Sequence, residues 1–111
     1  MQTITTEQLR QWRARREDFL LINVLAADAF QKQHIPGSIN IPADDDQFTR
    51  KVHQKLGSKD RKVVVYCTSK ECTASPRAAK KLDKDGFSNV YDYEVGMTGW
   101  AAANLPVERA A

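Results

Sequence analysis

The segment Lys62-Val63-Val64-Val65-Tyr66-Cys67 is the strongest strand signal of the chain, and it decides the fold. β-Branched and aromatic residues favour strands, and the nearly continuous apolar run is typical of a strand buried on both faces. A predicted helix before this strand ends at Gly57, and one after it, from residue 75 to about residue 85, ends at Gly86. A buried strand between two helices predicts a central strand of a parallel sheet.

The alternation of strands and helices continues towards both ends of the chain. Strands are predicted at residues 19–24, 38–41 and 89–93, and helices at residues 7–15, 28–33, 44–56 and 99–103. Thr5 or Thr6 is the expected cap of the first helix, and Asp44, Asp45 and Asp46 are expected to open the third. The sequence contains no internal repeat or linker, so we predict one α/β domain over residues 1–111.

Length and composition exclude several classes of protein. With 111 residues, 41% hydrophobic and 28% charged, the chain is unlike a disordered tail, a fibre or a disulfide-dense miniprotein. No apolar run approaches the roughly 18 residues of a membrane helix, so no membrane association is expected. Two cysteines without an export signal are expected to be reduced thiols, which predicts a cytoplasmic protein.

The charge gives little indication of a partner. The formal net charge is +3, and the densest basic group is Arg10, Arg13, Arg15 and Arg16. At helical spacing these residues are interpreted as a solvated helix face, so no nucleic-acid partner is expected.

Cys67 stands where an open parallel sheet places its ligands, beyond the carboxyl end of a central strand. The loop that follows leads into a helix, whose first N–H groups and dipole stabilise an anion. These groups would stabilise a thiolate, and Lys70 adds a nearby cation. Two interpretations stay open from position alone, a nucleophilic cysteine in an anion cradle and a buried core thiol.

Four segments together resemble one family. They are FLLINVL at residues 19–25, HIPGSINIP at 34–42, VVVYC at 63–67, and EVGMTGW at 94–100 followed by LPV at 105–107. In this order, and over nearly the entire chain, they resemble the single-domain rhodanese-like sulfurtransferases. The resemblance implies a five-stranded parallel sheet flanked by helices on both faces.

The resemblance also implies a reaction. Cys67 would be the catalytic nucleophile that takes sulfane sulfur from a small donor such as thiosulfate or polysulfide, and it would carry that sulfur as a persulfide to a thiol or protein acceptor. The backbone N–H groups of the active-site loop would hold the persulfide charge; that loop consists of Thr68, Ser69, Lys70, Glu71, Cys72 and Thr73. Neither a metal nor an organic cofactor is implied.

The sequence departs from the family pattern at several positions. Asn23 and Leu25 replace an Asp and an Arg, and Lys70 replaces a loop Gly. Because the loop is altered, we expect poor turnover of thiosulfate. A low-turnover sulfur carrier or a protein-interaction module of the same fold therefore stays open as an alternative function. A second cysteine and a later serine, Cys72 and Ser75, resemble a subset of the family. Cys72 is therefore interpreted either as a resolving thiol for the persulfide or as a small loop residue that contributes only its N–H.

Other chemistries fit the sequence poorly. A cysteine phosphatase needs an Arg after five intervening residues, and Thr73 stands there. Zinc ligation by Cys67, Cys72, His34 and His53 is not expected, because they lack paired spacing. His34 is predicted to bond to the backbone and fix the turn at Pro36 rather than to act as a base.

Overall fold

The computed structural model describes residues 1–109. The strands are β1 (Gln2–Thr3), β2 (Phe19–Asn23), β3 (Ile39–Asn40), β4 (Lys62–Tyr66) and β5 (Val90–Tyr93). The helices are α1 (Thr6–Ala14), α2 (Ala27–Lys32), α3 (Phe48–Leu56), α4 (Ala74–Lys84) and α5 (Gly96–Ala102). All neighbouring strands are parallel, in the order β1-β5-β4-β2-β3. The predicted five-stranded α/β sheet is confirmed, with β4 at its centre.

Side chains of β4 alternate between two hydrophobic cores. Val63, Val65 and Cys67 lie in the core that contains residues of α3 and α4. Val64 and Tyr66 lie in the opposite core, with Leu9 of α1 and Trp100 of α5. Each face of the sheet is therefore covered by helices, as predicted, and the side chain of Cys67 points towards α4.

Strand β1 is absent from the strands that the residue pattern predicts. Gln2 pairs with Tyr91 and Thr3 with Asp92, so β1 forms the edge next to β5. Both of its residues are exposed. Two exposed residues carry no apolar alternation, and backbone pairing alone makes this segment a strand.

Helix α1 begins where the sequence predicts, whereas α3 and α5 do not. Thr5 is the N-cap of α1 and forms a capping box with Gln8. The prediction that α3 opens at Asp44 is wrong, because α3 begins at Phe48. The Asp45 carboxylate instead accepts the N–H of Gln47 at 2.8 Å and stabilises the turn before the helix.

Helix α5 begins at residue 96 rather than at residue 99, because Gly96 adopts a positive φ of 54° that turns the chain out of β5. Within residues 1–109, no helix combines the length and the apolar character needed to cross a membrane.

The arginines of α1 make local contacts. Arg10 pairs with Glu7 at 3.2 Å. Arg13 donates to the Pro36 carbonyl at 2.7 Å, and its guanidinium lies 5.4 Å from the centre of the Trp100 ring. Arg13 thus connects α1 to the turn at Pro36 and to α5, and it is half-buried rather than part of a solvated face. Arg15 and Arg16 are exposed but lie beyond the last residue of α1.

Candidate active site

Cys67 follows the last residue of β4 and is fully buried, with 0% of its surface exposed. Its side chain lies on the same face as that of Val65 and contacts the first turn of α4, where the Ser75 hydroxyl is 3.4 Å from the Cys67 sulfur. The most apolar strand of the chain therefore delivers one thiol to the carboxyl edge of the sheet, directly before a helix N-terminus.

The loop of residues 68–73 folds back over this edge. The N–H of Cys72 donates to the Ser69 carbonyl at 3.1 Å and closes a tight turn. Of the loop residues named from the sequence, Thr68, Lys70, Glu71 and Thr73 are exposed, whereas Ser69 and Cys72 are half-buried. Cys72 packs against the buried cluster that contains Cys67.

The first N–H groups of α4 are directed at the second cysteine. Thr73 is the N-cap of α4 but makes no side-chain capping bond. The backbone N–H groups of Ala74, Thr68 and Ser75 act to lower the pKa of the Cys72 thiol. The first turn of α4, which we expected to stabilise an anion at Cys67, therefore also favours an anion at Cys72.

The two cysteines are free thiols, and each influences the pKa of the other. Burial raises the pKa of Cys67, and the hydrogen bond with Cys72 raises it further against the opposing effect of Ser75. Burial also acts to raise the pKa of Cys72, but the Cys67 thiol and the N–H groups of Ala74, Thr68 and Ser75 together lower it. A negative charge on this pair therefore rests first on Cys72.

A buried carboxyl group lies on the same face of the sheet. Asp92 of β5 pairs in register with Val65, and it is 2% exposed. Burial raises the pKa of Asp92, an interaction with Ser75 acts against this, and its Oδ1 has no hydrogen-bond partner among the described residues. Asp92 was not named from the sequence, although a single acidic residue inside an apolar strand is a signal that could have found it.

Gly96 belongs to the motif EVGMTGW, which the resemblance to the family places beside the active-site loop. A Cβ atom at this residue would lie 2.2 Å from the Cys67 carbonyl oxygen. The N–H of Met97 donates to that carbonyl at 3.0 Å, and the N–H of Thr98 donates to the Thr68 carbonyl at 2.8 Å. Helix α5 therefore holds the backbone of Cys67 and Thr68 in place, and only glycine allows this close approach.

Comparison with known proteins agrees with this arrangement. Residues 5–103 match the family of rhodanese-like domains. The chain belongs to this family. The resemblance that the four sequence segments indicated is thereby confirmed.

Relatives of this rhodanese-like domain include proteins of different lengths. The HTH-type transcriptional regulator Rv0324 of Mycobacterium tuberculosis is 33% identical over 99 residues, which are 87% of this chain but 42% of the regulator. A sulfurtransferase of Allochromatium vinosum is 29% identical over 104 residues, 94% of this chain and 92% of the relative. The chain thus spans less than half of the first protein and nearly all of the second.

The fold has close counterparts among solved structures. The structure of a thiosulfate sulfurtransferase from Pseudomonas aeruginosa superimposes with a TM-score of 0.88 and 23% sequence identity. The superposition covers 100% of this chain and 20% of that protein. At this identity the likeness establishes the rhodanese-like fold alone.

Asn23, one of the departures from the family pattern, anchors the end of β2 without an ion pair. The Asn23 Oδ1 accepts the N–H of Leu25 at 2.9 Å. The side-chain amide of Asn40 donates to the carbonyls of both residues, at 3.1 Å to Asn23 and 2.8 Å to Leu25. Neutral hydrogen bonds therefore hold this part of the rhodanese-like domain together.

The contacts of His34 suit a structural role. Its Nδ1 donates to the Phe30 carbonyl at 2.8 Å, which confirms the predicted bond to the backbone. Its Nε2 lies 3.6 Å from a carboxylate oxygen of Glu108. Among residues 1–109, no three His, Cys, Asp or Glu side chains form a cluster suited to a metal ion.

Proposed function

We propose that this rhodanese-like domain is a sulfurtransferase in which Cys67 forms the persulfide. It takes sulfane sulfur from a donor such as thiosulfate or polysulfide and passes it to a thiol or protein acceptor. The observation that carries the proposal is the position of Cys67, a free thiol at the end of the central strand that contacts the first turn of α4. Membership of the family and the similarity to a sulfurtransferase of nearly the same length support it.

The reaction has two displacement steps. The Cys67 thiolate attacks the outer sulfur of thiosulfate, the sulfur–sulfur bond of the donor breaks, and sulfite leaves with the bonding electrons. An acceptor thiolate then attacks the outer sulfur of the persulfide, and Cys67 leaves as a thiolate. Each intermediate carries its charge on sulfur, so the N–H groups of Thr68, Ala74 and Ser75 are suited to stabilise it.

The raised pKa of Cys67 gives the first step a pH dependence. The attacking species is the thiolate, and burial makes that form less abundant at neutral pH than for an exposed cysteine. We therefore expect sulfur loading to become faster as pH rises through the neutral and mildly alkaline range.

Two free thiols in one site suit a reducing compartment, so we propose a cytoplasmic location for the protein.

A sulfur carrier or interaction module with little turnover is the second candidate. The observation in its favour is that Cys67 is fully buried, which limits the access of small donors. A carrier would transfer its sulfur only to a protein acceptor. An interaction module would not react through Cys67 at all.

Intact-protein mass spectrometry tests the proposal. The Cys72→Ser variant is used for loading, so that Cys67 is the only thiol, and Cys67→Ser is the reciprocal control. After anaerobic exposure to thiosulfate and, separately, to polysulfide, Cys72→Ser is expected to gain about 32 Da, one sulfur atom, on the peptide that contains Cys67. With thiosulfate as the donor, Cys67→Ser is expected to acquire less than a tenth of that sulfur on any peptide.

Transfer to an acceptor then distinguishes the two candidates. Loss of the added sulfur to a small thiol over repeated cycles supports the enzyme, whereas a persulfide stable towards small thiols supports the carrier. A folded Cys72→Ser variant that gains no sulfur from either donor would exclude Cys67 as the persulfide-forming residue.

A further inference from the structure

We propose that Cys72 resolves the persulfide on Cys67, so that this rhodanese-like domain releases hydrosulfide and is left with a Cys67–Cys72 disulfide. The inference rests on the proposed function, because it needs the persulfide that sulfur transfer supplies. It adds a second activity to the same site, the reduction of sulfane sulfur to sulfide.

The loop fold brings the second thiol to the first. Cys72 comes five residues after Cys67 in the chain, and the turn closed by the Cys72 N–H and the Ser69 carbonyl, 3.1 Å apart, reverses the direction between them. Cys72 packs against the buried cluster that contains Cys67, and both cysteines are free thiols. A second nucleophile is therefore held close to the site at which the persulfide would form.

The surroundings of Cys67 favour this attack. Its sulfur is bounded by the Ser75 hydroxyl at 3.4 Å, and the backbone of Cys67 is fixed by the N–H of Met97 at 3.0 Å. Cys72 is half-buried, whereas Cys67 is fully buried. We expect a sulfur atom added to Cys67 to lie on the side of Cys72, because Cys72 packs against the cluster that contains Cys67.

The N–H groups of Thr68, Ala74 and Ser75 serve both states of the site. In the dithiol they act to lower the pKa of Cys72, which favours its thiolate form. In the persulfide they are suited to hold the charge of the outer sulfur. The Cys72 thiolate and the outer sulfur of the persulfide therefore compete for the same N–H groups. Formation of the disulfide ends this competition.

The step balances in atoms and electrons. The Cys72 sulfur attacks the Cys67 sulfur, a bond forms between them, and the bond from Cys67 to the outer sulfur breaks. The outer sulfur leaves with the bonding electrons and takes up the proton that Cys72 loses, so it departs as hydrosulfide. The sulfane sulfur is reduced and the two cysteine sulfurs are oxidised. A dithiol reductant then returns the disulfide to two thiols.

A single-turnover experiment with thiosulfate tests the resolving step. The reduced wild-type protein and the variants Cys72→Ser and Cys72→Ala are freed of reductant, given thiosulfate without oxygen, and quenched in acid. Sulfide is measured in solution, and the mass of each chain is measured together with mapped peptides. Thiosulfate is the chosen donor because it releases sulfite on loading, so any sulfide comes from the resolving step.

The wild-type protein is expected to release about one sulfide per chain and to become about 2 Da lighter, with a disulfide that links the Cys67 and Cys72 peptides. Both Cys72 variants are expected to retain about 32 Da of added sulfur on Cys67 and to release less than a tenth of that sulfide. Agreement between Ser and Ala shows that the missing thiol, and not a disturbed loop, accounts for the difference.

Other outcomes separate the two proposals. A wild-type persulfide on Cys67 as long-lived as that of the Cys72 variants would overturn the resolving role and leave the sulfurtransferase intact. Added sulfur that maps to Cys72 would overturn it too, because the outer sulfur would then have moved rather than left. If neither thiosulfate nor polysulfide loads the folded variants, the proposed function fails and the resolving step with it.

Discussion

Cys67 and Cys72 belong to the same short stretch of chain, yet their environments are opposite. Cys67 ends a central strand, is fully buried, and has a raised pKa because burial disfavours its thiolate. Cys72 precedes a helix, is half-buried, and has a lowered pKa because N–H groups and the Cys67 thiol outweigh burial. The pKa of each thiol therefore depends on the structure around its side chain. Two cysteines that are close in sequence can differ in pKa.

The difference also divides the chemical roles. The buried thiol is held rigidly by the sheet and α5, which suits the residue that carries sulfur. The half-exposed thiol lies at the helix N-terminus, where a thiolate persists at lower pH, which suits a residue that attacks. Three experiments test this contrast. The first concerns the backbone contacts that hold Cys67, the second the charge on the two thiols, and the third the low polarity of the sheet face that Cys67 shares with Asp92.

Substitution of Gly96 should have the largest effect, because it disturbs the contact between α5 and the backbone of Cys67. In Gly96→Ala the new methyl group would lie 2.2 Å from the Cys67 carbonyl oxygen, at a φ of 54° that disfavours side chains. Strain and overpacking together are expected to lower the free energy of unfolding by about 2–5 kcal/mol. Urea denaturation measures this loss, and sulfur loading of Cys67 is expected to fall at least tenfold.

Gly57→Ala is the matched control for this experiment. Gly57 also has a positive φ, 81°, but a methyl group there meets nothing within 4 Å. Its cost is therefore the backbone strain alone, about 1–2 kcal/mol, without loss of loading. Equal losses of stability in the two variants would contradict the claim that contact with Cys67 makes Gly96 necessary.

Selective alkylation tests the assignment of charge to the two thiols. At neutral pH, iodoacetamide should modify Cys72 at least tenfold faster than Cys67, because the lowered pKa and the greater exposure act in the same direction. Peptide mapping over a series of pH values gives both rates. The rate at Cys72 should level off at a lower pH than that of an ordinary cysteine, whereas the rate at Cys67 should continue to increase.

Two single-cysteine variants sharpen this measurement. Cys67→Ser removes one of the groups that lower the pKa of Cys72 but leaves the N–H groups, so Cys72 should keep part of its reactivity. In Cys72→Ser, burial remains the main effect on the pKa of Cys67, so the alkylation of Cys67 should stay slow. Faster modification of Cys67 than of Cys72 in the wild-type protein would reverse the charge assignment.

The sheet could be predicted because its central strand carries a strong local signal. Val63, Val64 and Val65 mark a doubly buried strand, and Gly57 and Gly86 mark the ends of the helices around it. Strand β1 lacks such a signal, because Gln2 and Thr3 are exposed and owe their conformation to pairing with β5. The start of α3 was misplaced because Asp45 caps a turn as readily as a helix.

The active site was only partly accessible to the same reasoning. A central parallel strand delivers its last residue to the carboxyl edge of the sheet, so the residue pattern was enough to place Cys67 there. The effect of the backbone N–H groups on the pKa of Cys72 could not be predicted, since it depends on how the loop turns at Ser69. Asp92 was missed because its position beside Val65 arises from strand pairing, which no local pattern records. Gly96 was recognised only through its motif, because the close approach to the Cys67 carbonyl that requires glycine is a contact across the fold.

Substitution of Asp92 should have the smallest effect, and it tests whether the low polarity of this sheet face raises the pKa of Cys67. Asp92 shares that face and, like Cys67, has a pKa raised mainly by burial. Between the ordinary carboxyl pKa and the raised value, the folded protein holds a proton that the unfolded chain has lost, so stability falls as pH rises through this interval. Asp92→Asn removes this loss.

The difference in unfolding free energy between Asp92→Asn and wild type should therefore shift in favour of the variant as pH rises from about 3, where Asp92 is protonated in both states, to about 7. Urea denaturation at a series of pH values measures it. Asp46→Asn, at an exposed aspartate, is the control and should show no such trend. If Asp92→Asn behaves like this control, burial on this face is too weak to disfavour charge. The raised pKa of Cys67 must then come from its contact with Cys72, and the contrast between the two thiols would belong to the pair alone.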